Sequence, residues 1–177
     1  MLGRRALLSS FVLGACAPRP LAGPAPSAVA SDPDRAAIEL ALDRATRFLI
    51  SKQSPDGAFR SETYSAFADG RALTPVVAKV LFYGARGPAA DQAFRRASDY
   101  VATLVKPDGS LDEGEYGLEY PIYTLSMSIV ALSLPSNERH EAARDALMSE
   151  LEARQLTEPL GWSQVDAAYG GWGYYRG

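Results

Sequence analysis

The sequence predicts an all-α fold built from helical-hairpin repeats within a single domain. Similar segments that each contain a glycine turn stand at equal intervals, with Gly57, Gly109 and Gly161 placed 52 residues apart. Between these turns, apolar side chains follow three- and four-residue steps, as amphipathic helices require. A unit of this length holds a helix, a turn, a second helix and a connection, so each unit is expected to bury its apolar face against a stacked neighbour.

The composition is that of a globular protein without a basic surface. Hydrophobic residues make up 47% and charged residues 22% of the 177 residues, so the chain can bury a core. With a net charge of -3 and no clustered Lys and Arg, we expect no nucleic-acid partner. Cys16 is the only cysteine and His140 the only histidine, which excludes an intramolecular disulfide and a Cys/His zinc site. Any metal ion would have to sit on carboxylates, and we expect neither a metal site nor a cofactor.

Residues 1–15 have the pattern of a signal peptide, with Arg4 and Arg5 before a short apolar run. The run ends in Leu13-Gly14-Ala15-Cys16, which resembles the bacterial lipobox. The resemblance implies that Cys16 is lipidated and becomes the first mature residue. We therefore expect an extracytoplasmic lipoprotein, anchored in the membrane and facing the periplasm or cell envelope. The alternative is an ordinary cleaved signal in which Cys16 is incidental, and Sec and twin-arginine export both stay open.

Residues 16–31 are expected to form a tether between the anchor and the folded part. The segment is rich in Pro and Ala, and its prolines remove backbone donors and favour extended polyproline II geometry. Residues 32–177 then hold the helical repeats.

The first unit contains two predicted helices. Ser31-Asp32-Pro33 favours a helix start, because Ser or Asp can cap the helix and proline is tolerated in its first turn. The apolar stripe of this helix consists of Ile38, Leu42, Ala45 and Leu49. Pro55-Asp56-Gly57 ends it, and Asp56, like Asp108 in the second unit, is expected to bond nearby backbone in its turn. A second helix is predicted from Thr74 to Gly84.

The second and third units repeat this order. The stripe of the third predicted helix consists of Phe94, Ala97, Val101 and Leu104. The fourth helix begins near Pro121, runs to Leu134 and is apolar almost all round. Since a helix apolar on every face lies inside and one with a single stripe lies outside, each hairpin is expected to pair an outer with an inner helix. The third unit has an outer helix at about Arg139 to Arg154, and the chain ends where the next inner helix is due.

The first unit carries a resemblance to a known repeat. Arg44-Ala45, Phe48-Leu49, Gln53 and Gly57-Ala58-Phe59 match in order the QW repeat of squalene-hopene and oxidosqualene cyclases, whose helical repeats resemble those of protein prenyltransferase beta subunits. The second unit keeps Arg96-Ala97, Tyr100 and Gly109, and the third keeps Gln155 and Gly161-Trp162. The resemblance covers roughly residues 36–177. It implies an alpha/alpha toroid, in which inner helices surround a cavity, and it suggests an N-terminal fragment incomplete at its C-terminus.

The catalytic residues of these families do not carry over. The cyclases protonate a polyene with an Asp-x-Asp-Asp motif, and the nearest segment here, Asp112-Glu113-Gly114-Glu115, has a different spacing. The prenyltransferase zinc ligands have no counterpart either. Asp112, Glu113, Glu115 and Glu119 are expected to form a solvated loop, with a metal or acid-base site as the alternative. His140 is expected to be solvated on an exposed helix face.

Aromatic residues cluster in the segments that lead to the predicted inner helices and could line a toroid cavity. The candidate ligand residues are Tyr64, Tyr116, Tyr120, Tyr123, Trp162, Trp172 and Tyr174. Aromatic faces receive flat apolar ligands, so an isoprenoid-like or other apolar molecule is the ligand they would take. The alternative is that these side chains pack between repeats.

The leading functional hypothesis is an exported, lipid-anchored repeat protein of the squalene cyclase/prenyltransferase-like superfamily. It would bind an apolar small molecule or a protein partner without catalysis by this chain. The alternative is a terpene cyclase or prenyltransferase-like enzyme whose catalytic repeats lie beyond Gly177. A third possibility is a purely structural scaffold. An incomplete array would also leave an apolar face uncovered, so we expect marginal stability or self-association.

Overall fold

The structure is a computed structural model that describes residues 32–115 and 117–173, and within them it is all α-helical with no strand. The five helices are α1 (Asp32–Lys52), α2 (Leu73–Gly84), α3 (Pro88–Thr103), α4 (Pro121–Leu132) and α5 (Glu141–Ala153). Short 3-10 turns lie at Ser65–Phe67, Glu138–His140 and Glu158–Leu160. The predicted all-α class is confirmed. Among the described residues, no helix combines the length and the apolar character needed to cross a membrane.

The helix boundaries follow local sequence signals. Pro88 and Pro121 stand in the first turns of α3 and α4, where the missing amide hydrogen costs nothing. Helix α2 was predicted from Thr74 to Gly84 and begins one residue earlier, at Leu73. Helix α4 ends at Leu132 instead of the predicted Leu134, shortly before a proline that cannot continue it.

Helices α2 and α4 occupy the middle of the bundle. Helix α2 packs against α1, α3 and α4, and α4 packs against α2, α3 and α5. The first core cluster joins α2 and α3 and contains Phe59, Val77, Ala78, Leu81, Ala93, Phe94, Ala97, Ala131 and Leu134. The second joins α3, α4 and α5 and contains Val101, Leu104, Leu111, Leu125, Ile129, Leu132 and Leu147. Helix α3 therefore holds the two clusters together, with one end in each.

Two expectations about burial are wrong. The stripe of α1 was expected to face the core, but Ile38 and Leu42 are exposed, because no described element lies over that side of the helix. Helix α4 was expected to be buried all round, but Tyr123 and Val130, seven residues apart on one side of the helix, are exposed. Only one side of α4 packs against other helices, since its buried residues include Leu125, Ser128 and Ile129.

Three turns at the predicted spacing share one hydrogen bond, and only the first two also close with a second, from the Ser54 amide to the Ala58 carbonyl and from the Lys106 amide to the Ser110 carbonyl. In the third, the Trp162 amide instead donates to the Thr157 carbonyl. We call residues 54–58 the first turn, 106–110 the second turn and 158–162 the third turn. In each, the glycine amide donates to the carbonyl three residues earlier, from Gly57 to Ser54, from Gly109 to Lys106 and from Gly161 to Glu158, all at 2.9 Å. Each glycine has a positive φ, which favours glycine over residues that carry a Cβ.

Candidate functional site

The first turn is covered by α3. The side-chain amide of Gln53 donates to the carbonyl of Gly57 at 3.0 Å and to that of Ala93 in α3 at 2.8 Å. In return, the Arg96 guanidinium donates to the carbonyls of Ser54 at 2.8 Å and Pro55 at 3.0 Å. Gly57 is buried so closely under α3 that a Cβ there would overlap the Arg96 carbonyl oxygen. The first turn and α3 are therefore joined by side chains that donate to main-chain carbonyls and by a close approach of their backbones.

The second turn is covered by α5. A Glu150 carboxylate oxygen accepts a 2.6 Å hydrogen bond from the amide of Leu111, just after the turn. A Cβ on Gly109 would lie 3.5 Å from the Cβ of Ala146 in α5. The residues that make the contacts differ from those at the first turn, but each turn is followed by a helix that lies over it.

The third turn has no such cover among the described residues. Gly161 is exposed, its φ is +81°, and a Cβ placed on it would have no heavy atom within 4 Å. Leu160, the residue before it, is also exposed. The third turn therefore exposes its glycine and an apolar side chain to solvent.

Helix α1 exposes a face that α3 buries. We call Ile38, Ala41, Leu42 and Ala45 the α1 face, and all four are exposed. The residues 52 positions later are Ala90, Ala93, Phe94 and Ala97, and all four are buried in α3. Ile38 is 54% exposed against 2% for Ala90, and Leu42 is 40% exposed against 5% for Phe94. The same pattern of apolar side chains is thus packed on α3 and unpacked on α1.

A groove runs beside the last turns of α1. Its volume is about 660 Å³, and it lies between α1, the segment after the first turn, and the start of α2. Its apolar lining includes Phe48, Leu49, Phe59, Leu73 and Val77. Lys52, Arg60 and Glu62 supply charges around it. The groove could therefore take an apolar group that carries a charged or polar end.

Two basic groups of the groove differ in their partners. Arg60 forms two hydrogen bonds with the carboxylate of Asp56, at 2.9 and 2.6 Å. The hydrogen bond from Arg60 lowers the pKa of Asp56 from 3.8 to about 2. The Lys52 ammonium instead lies 5.7 Å from the centre of the Phe48 ring, where a cation is attracted to the aromatic face. Lys52 is thus the cation of the groove that lacks a carboxylate partner among the described residues.

The predicted aromatic residues are distributed over several elements. Tyr64 is exposed before the first 3-10 turn, Tyr123 is exposed on α4, and Trp162 is half-buried in the third turn. Tyr120 donates to Glu119 at 2.6 Å, and the Trp172 indole donates to the Leu151 carbonyl of α5 at 2.7 Å. No two of these described rings stack on each other; the ring pairs in the described chain are Phe82 with Tyr83 and Phe82 with Phe94. Tyr116, Tyr174 and the predicted lipidation site Cys16 lie outside the described residues.

The acidic segment after the second turn is more structured than expected. Asp112 pairs with Arg71 at 2.7 Å, and the hydrogen bond from Arg71 lowers the pKa of Asp112. Glu113 is buried and pairs with Arg154 at 3.0 Å, while Arg154 also pairs with Glu150. The expectation of a solvated loop is wrong for these two acids, because Arg71, just before α2, and Arg154, at the end of α5, reach them. Glu115 and Glu119 are exposed, as expected.

His140 is also held by the protein instead of being solvated. Its Nε2 lies 2.8 Å from a carboxylate oxygen of Asp99 in α3, and Arg139 donates to the same oxygen at 2.6 Å. Partial burial acts to raise the pKa of Asp99, but the hydrogen bonds from Arg139 and His140 outweigh it and lower that pKa. His140 therefore joins the α5 end of the chain to α3.

The turn aspartates have the predicted role. Asp56 accepts from the amide of Ala58 at 3.1 Å, and Asp108 accepts from the amide of Ser110 at 3.0 Å. These are the local side-chain bonds that favour Asp in tight turns. Within residues 32–115 and 117–173, no three acidic, histidine or cysteine side chains form a group that could hold a metal ion.

Sequence reasoning missed the exposure of the α1 face and of Arg44. Both were assigned to an ordinary outer helix with its stripe against the core. The signal that could have found them is the alignment of α1 with α3 at the 52-residue interval, in which Arg44 corresponds to Arg96. Comparison with protein-family models, with curated proteins and with solved structures found no match.

Proposed function

We propose that this protein is an exported, membrane-anchored helical-repeat module that binds a protein partner at the edge formed by α1. The observation that carries the proposal is the exposure of the α1 face, whose counterparts on α3 are buried. Exposed apolar patches bordered by charged residues are typical of protein-interaction sites. Catalysis by the residues of this chain is not part of the proposal.

The proposal includes a repeat architecture like that of the squalene cyclase/prenyltransferase superfamily, as part of an alpha/alpha toroid. Two observations support it. The glycine turns at 52-residue intervals share one hydrogen bond, and the first two are each covered by the next outer helix. In a repeat array each unit packs only on its neighbours, so a helix at the edge of the array has an apolar face that no neighbouring unit covers. The α1 face has the residues expected of such a surface.

Anchoring through Cys16 rests on the Leu13-Gly14-Ala15-Cys16 segment alone. Replacing Cys16 with Ser removes the thiol that would be acylated. We expect the wild-type chain in the membrane fraction and Cys16→Ser in the soluble fraction of the same bacterial cells. Incorporation of labelled palmitate into the wild type but not the variant would support lipidation, and equal partitioning of both chains would overturn it.

Partner binding can be tested by site-specific photo-crosslinking. A photoreactive amino acid is placed at Leu42, on the α1 face, or at Leu40, which is also an exposed leucine of α1. Position 40 corresponds to Gln92, which is exposed on α3, so it lies outside the expected contact. We expect crosslinked protein from position 42 and little from position 40. If irradiation at position 42 gives no protein adduct above that from position 40, the proposed function is wrong.

A second candidate function is the binding of an apolar small molecule in the groove. The groove supports this because its apolar lining meets the cation of Lys52, which has no carboxylate partner among the described residues and suits an isoprenoid-like or fatty-acyl ligand with an acidic end. A fluorescent fatty acid and a fluorescent isoprenoid alcohol would serve as probes. We expect saturable binding that Phe48→Asp weakens by about tenfold while Leu40→Asp leaves it unchanged. Binding that is equally strong in both variants would exclude the groove.

A further inference from the structure

We propose that the partner at the α1 face is a second copy of this chain, whose own α1 lies antiparallel to the first across a two-fold axis. The inference rests on the proposed function, because it names the partner of the same surface. It is carried by a self-complementary pattern of six side chains along one exposed side of α1. We call them the α1 seam: Asp34, Ile38, Ala41, Ala45, Phe48 and Lys52.

The α1 seam has the spacing by which two helices pack along their length. From Asp34 to Lys52 the steps alternate between four and three residues, so the six side chains follow one side of the helix for about 27 Å. This is the spacing of the core positions of paired helices. All six residues are exposed, and the two largest apolar ones, Ile38 and Phe48, are 54% and 59% exposed. A second helix therefore has room to pack along this side of α1.

An antiparallel arrangement matches the seam to itself. A two-fold axis at the level of Asp43 places each residue beside the residue that is equally far from Asp43 on the other side. Ala41 of each copy then lies beside Ala45 of the other, and these small side chains at the centre let the two helix axes approach closely. Ile38 of each copy lies beside Phe48 of the other. The apolar part of the seam is therefore small in the middle and large on both flanks.

The two ends of the seam carry opposite charges. In the antiparallel pair, Asp34 of each copy lies beside Lys52 of the other, so the contact gains two ion pairs. Lys52 has no carboxylate partner among the described residues, and its ammonium lies 5.7 Å from the centre of the Phe48 ring, on the same side of the helix. A parallel pair would instead place Asp34 against Asp34 and Lys52 against Lys52. The charges therefore favour the antiparallel direction.

The seam is separate from the side of α1 that packs within its own chain. Leu49 and Ile50 pack against the first core cluster, and Gln53 donates to the Ala93 carbonyl of α3. None of these residues belongs to the seam. The two copies can therefore pair without giving up the contacts that hold α1 in place.

The first test exchanges the charges at the ends of the seam. Sedimentation of the full chain carrying Cys16→Ser, so that no native thiol takes part, gives the dissociation constant of the dimer. We expect Asp34→Lys and Lys52→Asp each to weaken the dimer by about tenfold, because each creates two like-charge contacts. The double variant should restore the affinity. Arg47→Asp makes the same charge change outside the seam and should leave the affinity unaltered.

The second test determines the direction and register of pairing. One chain carries Ala41→Cys and another carries Ala45→Cys, both with Cys16→Ser. We expect the mixture to form the 41/45 disulfide at least about tenfold faster than either chain forms a disulfide with itself, because only the mixed pair lies side by side. Faster oxidation of each chain with itself would indicate parallel pairing and overturn the inference.

The remaining outcomes separate this inference from the proposed function. We expect the sedimentation coefficient to rise with concentration and to level off at two copies, since a two-fold contact uses up the seam of both chains. A monomer at all concentrations, or charge variants that the double variant does not rescue, would overturn the inference. If the chain is monomeric and photo-crosslinking at position 42 still captures a different protein, the proposed function stands and the second copy is wrong.

Discussion

The carbonyl oxygen of Arg96 in α3 lies directly over Gly57, in the space that a Cβ on that glycine would occupy. The first turn and α3 therefore approach at backbone distance. This approach is compatible with the two hydrogen bonds from Arg96 and the bridge formed by Gln53. The junction between the first hairpin and the next depends on the absence of one side chain.

We expect Gly57→Ala to destabilise the protein by roughly 3 kcal/mol, from about 1–2 kcal/mol of left-handed backbone strain and a similar cost of overlap with α3. Gly161→Ala is the control, because Gly161 is left-handed, with φ +81° and ψ 12°, and has no heavy atom within 4 Å of its Cβ position. It should lose only the strain. Urea unfolding of both variants measures the difference, and equal losses would mean that the close approach to Arg96 costs nothing.

Gln53→Glu removes the amide that donates to Gly57 and Ala93 while keeping the shape of the side chain. Because carbonyl groups then face a carboxylate in a half-buried site, we expect a loss of about 1–3 kcal/mol in the free energy of unfolding. Gln92→Glu makes the same change on the exposed side of α3 and should alter stability by less than about 0.5 kcal/mol. Chemical denaturation of the two variants at neutral pH is the measurement. Similar losses in the free energy of unfolding would show that the hydrogen bonds of Gln53 contribute no more to stability than an exposed glutamine does.

Arg154 neutralises the buried Glu113 and also pairs with Glu150, so Arg154→Met leaves carboxylates without their cation. We expect a destabilisation of about 3 kcal/mol, because an uncompensated buried charge is costly. Adding Glu113→Gln should restore part of this loss in a double-mutant cycle. Arg47→Met breaks the exposed pair with Asp43 and should cost less than about 1 kcal/mol. An additive cycle would contradict the coupling of Glu113 with Arg154.

The pair between Asp56 and Arg60 makes stability depend on acid pH. The hydrogen bond from Arg60 lowers the pKa of Asp56 to about 2, below its usual 3.8. A carboxyl whose pKa is lowered by folding contributes stability above its unfolded pKa and loses that contribution as the pH falls through the folded value. We expect Asp56→Asn to be less stable than the wild type above pH 4, with the gap closing between about pH 4 and pH 2. The stability difference is measured by chemical denaturation at each pH. A difference that stays constant over this range would rule out the ionic contribution.

The helices were predictable because their signals are local. Pro121 is the first residue of α4 and Gly84 the last residue of α2, so both mark helix ends. The sequence of α2 contains too few polar residues for a surface loop. The turn role of Asp56 and Asp108 was predictable for the same reason, since the bonds they make lie two residues away.

Burial was harder to predict because it depends on distant segments. Glu113 lies in a sequence that reads as a solvated loop, and its partner Arg154 is 41 residues further along the chain. The stripe of α1 has the same apolar character as that of α3, but within residues 32–115 and 117–173 only α3 of these two helices has a preceding turn to cover. Periodicity indicates that a face is apolar, and it does not indicate what lies against that face.

Several of the long-range side-chain hydrogen bonds have a nearly constant reach along the chain. Gln53 to Ala93, Arg71 to Asp112 and Arg139 to Asp99 span 40, 41 and 40 residues. During synthesis each turn must therefore wait for about forty further residues, a delay of roughly 2–8 s at ribosomal speeds. Order would spread along the chain in the direction of translation, and the most recently made turn would always be the one still lacking its cover.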